Sequence, residues 1–141
     1  SERRGVEFVT RKISQSVARI ATGKQKELHL GDISVRRDWG FAGDYTRAMT
    51  LMLEQDSPKD FVIATGTNWS VQCFAERAFA VAGISMDDHL RHDPALLRPA
   101  EIPSLCGDAS RAQKELGWKP QCSFDELVER MVRADLERER S

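Results

Sequence analysis

Features that would assign a protein to a class at once are scarce in this sequence. Its 141 residues include only three cysteines, Cys73, Cys106 and Cys122, which are odd in number and far apart. This pattern favours neither a disulfide framework nor a zinc site, and it is typical of a reduced, cytoplasmic protein. Lys plus Arg at 21 nearly balance Asp plus Glu at 22, for a net charge of -1. A balanced charge supplies no long-range field for nucleic acid or an acidic membrane, so any anion site must be local.

Long apolar runs and nucleotide-binding glycine loops are also missing. No apolar run approaches the roughly 18 residues of a membrane span, and the N-terminal residues lack the apolar core of a signal peptide, so we expect a soluble protein. No GxGxxG-type loop is present to receive a dinucleotide phosphate at a helix start. The only tyrosine, Tyr45, is followed four positions later by Met49, which excludes a Tyr-x-x-x-Lys pair. The chain therefore offers no catalytic residue of this kind.

What is present is an alternation of helical and extended patterns. Apolar residues at helical spacing in "FVTRKISQSVARIATG" predict a first helix that stops at Gly23. "ELHLGDI" has the length of a short strand ending in a turn at Gly31, and Asp44 is a candidate cap for a second helix that carries Tyr45 and Met49. "DFVIAT" is apolar and β-branched, which is typical of a buried strand.

The second half of the chain contains clearer start and stop signals. Residues from Ser70 to Ala82 predict an apolar helix closed by glycine, and the prolines between 86 and 106 predict a loop with a short extended piece. Residues 108 to 116 predict a short helix stopped by Gly117. Ser123 and Glu126 have the spacing of a capping box at the start of a last, amphipathic helix. Five helices with two or three short strands predict an α/β protein with too few strands for a sheet covered on both faces.

A family resemblance follows from five stretches taken in order: "RRGxxFVTRKIS", "LGDISVRRDWGFAGDY", "DFVIATG", "RPAE" and "GDASRAQKELGWKP...FDELVERMVRAD". They resemble the C-terminal, substrate-binding half of GDP-mannose 4,6-dehydratases, which are extended short-chain dehydrogenases/reductases. The resemblance implies that residues 1-141 form a small GDP-mannose-binding domain, and that the NADP-binding Rossmann domain lies outside this chain. It also implies a homo-oligomeric full-length enzyme.

The resemblance further implies a reaction for the complete enzyme. The family removes water from GDP-mannose, with a bound NADP taking a hydride from the sugar and returning it, to yield GDP-4-keto-6-deoxymannose. The family's catalytic Tyr and Lys match no position here. We therefore expect no catalytic residue in this chain and no activity from the chain alone.

By the same resemblance, Arg37 of "RDWG" holds the diphosphate, for which a planar guanidinium is well suited. Thr10 and Lys12 contact the nucleotide sugar, and their predicted place near a helix start independently favours an anion. The residues alone leave other interpretations open. Without the resemblance, a surface arginine paired with Asp38 or Asp32 is the favoured interpretation of Arg37, and an exposed helical lysine is the alternative for Lys12. Arg36 is expected to be solvated, with Asp38 and Trp39 shaping the loop.

The resemblance places Arg98 and Glu101 of "RPAE" at the phosphate and the nucleoside, where a carboxylate can accept from ribose hydroxyls. Leu30 and Gly31 are expected near the guanine, and Arg4 matches an arginine that reaches NADP. The alternatives are a weak Arg98 to Glu101 surface pair and an ordinary turn at Gly31.

Two departures and one rival site affect these expectations. Asp32 replaces an asparagine usual in the family, and leucines at 96 and 97 replace aromatics, which predicts weaker nucleotide binding. "DDHLRHD" contains metal-ligand residue types, but the nearby proline and absent periodicity favour a solvated loop, so we predict no metal site. Two other functions stay open: a non-catalytic nucleotide-sugar binding module, and a helical protein-interaction domain.

Overall fold

The computed structural model describes residues 1–97 and 100–141, and its elements confirm the predicted mixed α/β class. Six α-helices are present in the described residues: α1 Val9–Ala21, α2 Ala42–Leu53, α3 Val71–Ala82, α4 Met86–His89, α5 Ser110–Leu116 and α6 Phe124–Arg140. Four short strands accompany them: β1 Leu28–Leu30, β2 Arg36–Arg37, β3 Trp69–Ser70 and β4 Leu90–His92, with a 3-10 turn at Pro94–Leu96. Within this part of the chain, no helix has the length and apolar character needed to cross a bilayer.

Three long helices, α1, α3 and α6, pack together around the main hydrophobic core. The apolar face predicted for α1 is buried there through Ile13 and Val17, and α3 contributes the fully buried Phe74. The apolar stripe predicted for α6 is also buried, including Val128 and Met131. Burying side chains of this size stabilises a fold by about 1.5 to 3 kcal/mol each. The helical core therefore carries most of the stability of the domain.

The helix ends confirm most of the predicted signals. Ser70 caps α3 by accepting a hydrogen bond from the Cys73 N–H at 3.0 Å, and Gly83 ends that helix with φ 69°. Gly117 ends α5 in the same left-handed region, with φ 63°. At α6 both hydrogen bonds of the capping box between Ser123 and Glu126 are present. Each cap satisfies backbone groups that have no partner inside the helix.

The strands are too short to form a layer of their own. β1 pairs in parallel with β4, whose three residues are the extended piece predicted between 86 and 106. β2 pairs antiparallel with β3, and Arg36 also bridges to Ser104. Helix α4 and the 3-10 turn occur where only a loop was predicted. Residues of the loop 31–40, together with Leu96, Leu97 and Glu101, lie beside the start of α1.

The prediction of a buried strand at "DFVIAT" is wrong: the structure forms no strand over residues 60–65. Phe61 and Ile63 instead pack on a small second cluster around the fully buried Trp118, between α2 and α5. Val62 points away and is exposed. The apolar residues of this segment are therefore buried against helices, and they do not require pairing with another strand.

The prediction that Asp44 caps α2 is also wrong, because the helix begins two residues earlier, at Ala42. The Asp44 carboxylate lies buried in the first turn and accepts hydrogen bonds from the backbone N–H groups of Gln121 (2.9 Å) and Cys122 (3.0 Å). Its backbone carbonyl accepts from the Trp118 indole at 2.8 Å. Asp44 therefore joins α2 to the segment before α6. Met49 and Leu53 of α2 are exposed.

The three cysteines are free, as their spacing predicted. Cys122 is partly buried, and this burial raises the pKa of its thiol.

A buried ion pair connects two of the long helices. Asp135 of α6 is paired with Arg11 of α1 at 2.9 Å and accepts a hydrogen bond from the Ser14 hydroxyl at 2.7 Å. This network fastens the first long helix to the last.

Candidate functional site

A cavity of about 1010 Å³ opens beside the start of α1. Its walls come mainly from residues 1–12, the loop from Leu30 to Gly40, the leucines at 96 and 97 with Glu101, and α6, and Tyr45 of α2 and Val71 of α3 add to them. Seven of the eight residues predicted at the site are described by the structure, and all seven line this cavity: Arg4, Thr10, Lys12, Leu30, Gly31, Arg37 and Glu101. Arg98, the eighth, lies outside the described residues. Groups far apart in the sequence therefore meet in one cavity.

The start of α1 faces this cavity. Phe8 occupies the N-cap position with an extended backbone, and no side chain in the described residues caps the helix. The first-turn N–H groups of a helix have no partner within it and carry its positive dipole end. Thr10 is buried in this turn, and Lys12 is only partly exposed. This end of the cavity is suited to an anion.

The Arg37 guanidinium is held by three acceptors. Its Nη1 donates to the carbonyl oxygens of Arg36 at 2.7 Å and Ile102 at 2.8 Å, and its Nη2 donates to the Glu101 carboxylate. Both side chains of this ion pair are about one quarter exposed, at 23% for Arg37 and 25% for Glu101. The sequence alternative was an ion pair between Arg37 and Asp38 or Asp32. This alternative is wrong, because the carboxylate that Arg37 contacts is that of Glu101. The guanidinium nevertheless lines the cavity.

Those two aspartates serve local structure. Asp38 accepts hydrogen bonds from the backbone N–H groups of Thr65 (3.0 Å), Gly66 (3.0 Å) and Gly107 (3.2 Å), which ties three loops together. Asp32 accepts from the Ser34 hydroxyl and backbone N–H, and these bonds lower the pKa of its carboxyl. The loop-shaping role expected for Asp38 is therefore visible in its contacts.

Gly31 and Arg4, two of the predicted site residues, make close contacts within the chain. A Cβ atom added to Gly31 would lie 2.6 Å from the Leu96 carbonyl oxygen, so the close approach that requires glycine here is to the chain itself. The Arg4 guanidinium lies over the Phe8 ring, 3.7 Å from its centroid. Arg36 donates to Asn68 at 3.0 Å through an exposed contact.

The segment "DDHLRHD" is used for other contacts. The His89 ring nitrogen Nδ1 hydrogen-bonds the Lys26 carbonyl at 2.8 Å, and Asp93 accepts from the Ala95 N–H at 2.9 Å. The described residues contain no group of three metal-ligand side chains.

Tyr45 and Trp39 also line the cavity. Burial raises the pKa of the Tyr45 phenol, and a Cβ added to Gly40 would lie 2.3 Å from its hydroxyl oxygen. Trp39 packs edge-on against Phe74 with ring centroids 5.5 Å apart. The sequence predicts no role for Tyr45 in the site. Its place there depends on the contact between α2 and the loop at Gly40.

Comparison with known proteins identifies the family. A family model described as GDP-mannose 4,6 dehydratase matches residues 1–131. The chain belongs to this family. It is 49% identical over 137 residues to GDP-mannose 4,6 dehydratase 1 of Arabidopsis thaliana and 44% identical over 154 residues to the human GDP-mannose 4,6 dehydratase. These alignments cover 97% of this chain but 38% and 41% of the two relatives.

Solved structures support the fold. RMD from Pseudomonas aeruginosa, solved with NADPH, superposes with a TM-score of 0.87 at 22% identity, over 96% of this chain and 44% of that one. The dTDP-glucose 4,6-dehydratase of Bacillus anthracis, solved with NAD, gives a TM-score of 0.81 at 17% identity, over 97% and 42% of the two chains. The chain therefore spans less than half the length of the curated relatives and of the solved structures that it matches.

Proposed function

We propose that this chain binds GDP-mannose in the cavity described above, as the substrate-binding portion of a GDP-mannose 4,6-dehydratase. The observation that carries the proposal is the convergence of Lys12, Arg37 and Glu101, from three separate elements, on one cavity of about 1010 Å³. Membership of the dehydratase family supplies the substrate class. The complete enzyme would convert GDP-mannose to GDP-4-keto-6-deoxymannose.

Each group has a chemical role in this proposal. The diphosphate carries negative charge, which Arg37 meets with directed N–H donors and Lys12 meets as a point charge. The start of α1, with Thr10, adds backbone donors in the same cavity. Glu101 accepts from the ribose hydroxyls, while Leu30 and Gly31 form the wall near the base. Arg98, from the neighbouring loop, completes the phosphate contacts.

We expect the residues of this chain alone not to form a dinucleotide site. The sequence holds no glycine-rich phosphate loop. Arg4 is the one residue assigned toward NADP, and its guanidinium is stacked on Phe8. We propose that NADP is bound mainly by a Rossmann domain outside these residues, with Arg4 at its edge. The chain alone would then bind the sugar nucleotide without converting it, in the cytoplasm, and the complete enzyme would be a homo-oligomer.

A ligand-dependent melting experiment tests the proposal. A ligand at 100 times its dissociation constant stabilises the native state by about 2.7 kcal/mol, so GDP-mannose and GDP should both raise the melting temperature. Mannose at the same concentration is the control and should have no effect. Unchanged melting with GDP and GDP-mannose would favour a helical protein-interaction domain instead. Incubation with GDP-mannose and NADP, followed by product analysis, distinguishes a binding module from an active enzyme.

A further inference from the structure

Arg37 and Glu101 form an ion pair with each other. In the proposed function, the two residues bind different parts of the same ligand. Arg37 is assigned to the diphosphate and Glu101 to the ribose, yet in the structure the Glu101 carboxylate accepts a hydrogen bond from the Arg37 Nη2. The positive charge assigned to the diphosphate therefore already has a carboxylate partner within the chain. A diphosphate that contacts this guanidinium meets Glu101 as a competitor.

We infer that Glu101 competes with the ligand for Arg37: a bound diphosphate displaces the Glu101 carboxylate from the guanidinium, and the released carboxylate accepts hydrogen bonds from the ribose of the same ligand. This exchange rests on the proposed function, since it assigns an order to contacts within that site. It couples recognition of the nucleoside to recognition of the diphosphate.

The geometry favours an exchange in which Arg37 itself stays in place. Its Nη1 is anchored by the carbonyl oxygens of Arg36 at 2.7 Å and Ile102 at 2.8 Å, and neither bond involves the carboxylate. The guanidinium therefore keeps its position when Glu101 leaves. Five N–H donors belong to a guanidinium, so the Nη2 side remains able to meet a phosphate oxygen.

The pair is partly exposed, which allows a ligand to reach it. At 23% and 25% exposure, both side chains contact solvent, so the carboxylate can leave the guanidinium without moving through an apolar interior. A diphosphate offers more negative charge and two sets of acceptor oxygens, so it forms the stronger partner for a planar guanidinium. Glu101 gives up its contact with Arg37 and gains hydroxyl donors.

The test uses Glu101→Gln and two ligands, inorganic pyrophosphate and GDP, with affinities measured by titration calorimetry at one fixed salt concentration. Pyrophosphate breaks the ion pair without offering ribose hydroxyls, so removal of the competing charge should tighten its binding by about fivefold. The factor by which GDP binds more tightly than pyrophosphate should shrink in the same variant, because the charged ribose acceptor is lost.

Asp32→Asn is the matched control. Asp32 lines the same cavity and carries the same charge, but its contacts are with Ser34. Its removal should tighten pyrophosphate binding, in the direction that the family's asparagine at this position predicts, but by less than about twofold because the charge is exposed and screened. The melting temperature of each variant without ligand checks that the fold is retained.

The possible results separate the exchange from the proposed function. Weaker pyrophosphate binding in Glu101→Gln would show that Glu101 positions Arg37, and would overturn the exchange. A gain equal to that of Asp32→Asn would reduce the effect to general charge, and would also overturn it. If the parent binds GDP and pyrophosphate but Glu101→Gln changes neither, the exchange is wrong and the proposed function stands. If the parent binds neither ligand, the proposed function itself fails.

Discussion

The two helices that pack against each other through the core, α1 and α6, begin in opposite ways. α6 starts with Ser123 in a complete capping box, with Asp125 and Glu126 in its first turn. α1 starts at Phe8, with no capping side chain in the described residues and no acidic residue in its first turn. Acidic residues near a helix start are stabilising, so α1 lacks both common means of satisfying its first turn.

The difference corresponds to what each start faces. The start of α6 is held by its own side chains, whereas the start of α1 opens into the cavity beside Lys12. A helix start left without a local acceptor can donate to a bound anion. The comparison indicates that the N-terminus of α6 is stabilised by its own capping side chains. The helix α1 is stabilised by contacts along its length, and its first-turn N–H groups can bind a ligand. Four predictions test this contrast, from the largest expected effect to the smallest.

The first prediction breaks the fastening between the two helices. Asp135→Ala removes the carboxylate that pairs with Arg11 at 2.9 Å and accepts from Ser14 at 2.7 Å, in a position that is 1% exposed. It should lower the free energy of unfolding by about 3 to 5 kcal/mol, because Arg11 is left as an uncompensated buried charge. Urea denaturation followed by circular dichroism measures the loss.

Glu129→Ala on the same helix is the control for that prediction. Glu129 makes an exposed pair with Arg133 at 2.7 Å, so its removal should cost about 0.5 kcal/mol or less. Equal losses in the two variants would show that the buried network does not join α1 to α6 in the way the contacts indicate.

The second prediction removes a cation that lines the same cavity as the start of α1. Arg37→Ala should weaken GDP binding by about 1.5 to 3 kcal/mol, the range for hydrogen bonds to charged groups. Arg36→Ala offers a neighbouring control, because that arginine binds Asn68 through an exposed contact. GDP affinities from titration calorimetry should differ between the two variants by at least tenfold. Similar affinities would remove Arg37 from the proposed phosphate site.

The helix starts also show which parts of the fold could be predicted from sequence. The capping box of α6 and the ends of α3 and α5 at Gly83 and Gly117 were predictable, because each depends on residues within a few positions of one another. Asp44 and the segment 60–65 were predicted wrongly for the opposite reason. Their roles depend on Trp118 and the segment before α6, which are more than 50 positions away in the sequence.

In the candidate site, too, some features could be predicted from the sequence and others depend on residues far apart in it. The residues gathered at the cavity were predictable through family resemblance, which carries information about long-range proximity that composition and periodicity lack. The partner of Arg37 was not predictable, because Glu101 lies 64 positions away and two aspartates stand much closer in sequence. Local charge patterns are therefore a poor guide to ion pairs at a site built from several loops.

The third prediction removes the capping hydroxyl at the N-terminus of α6. Ser123→Ala should lower the free energy of unfolding by about 1 kcal/mol, the usual value for an N-cap hydroxyl, and leave GDP affinity unchanged. The hydrogen bonds from the Ser123 backbone N–H and hydroxyl lower the pKa of Glu126 below its ordinary value of 4.5. A lowered pKa means that the carboxylate stabilises the fold above that ordinary value and ceases to do so as the pH falls through the folded pKa.

The pH dependence gives that prediction a second measurement. The difference in stability between the parent and Ser123→Ala should narrow as the pH is lowered below about 4.5, because Glu126 then becomes protonated and its part of the box is lost in the parent too. Urea midpoints at pH 7 and at successively lower pH values measure this narrowing. A constant difference would indicate that the Glu126 half of the box contributes nothing.

The fourth prediction closes the open start. Phe8→Asp places a capping carboxylate at the beginning of α1, where the parent has none, and should weaken GDP binding by about 0.3 to 1 kcal/mol through the dipole and charge at the helix end. Phe8→Asn supplies a neutral cap of the same shape. Equal weakening by Asp and Asn, measured by calorimetry, would show that the ligand uses the first-turn N–H groups, whereas weakening by Asp alone would show a purely electrostatic effect. Unchanged GDP affinity in both variants would place the anion away from α1, and the open start would then need another explanation.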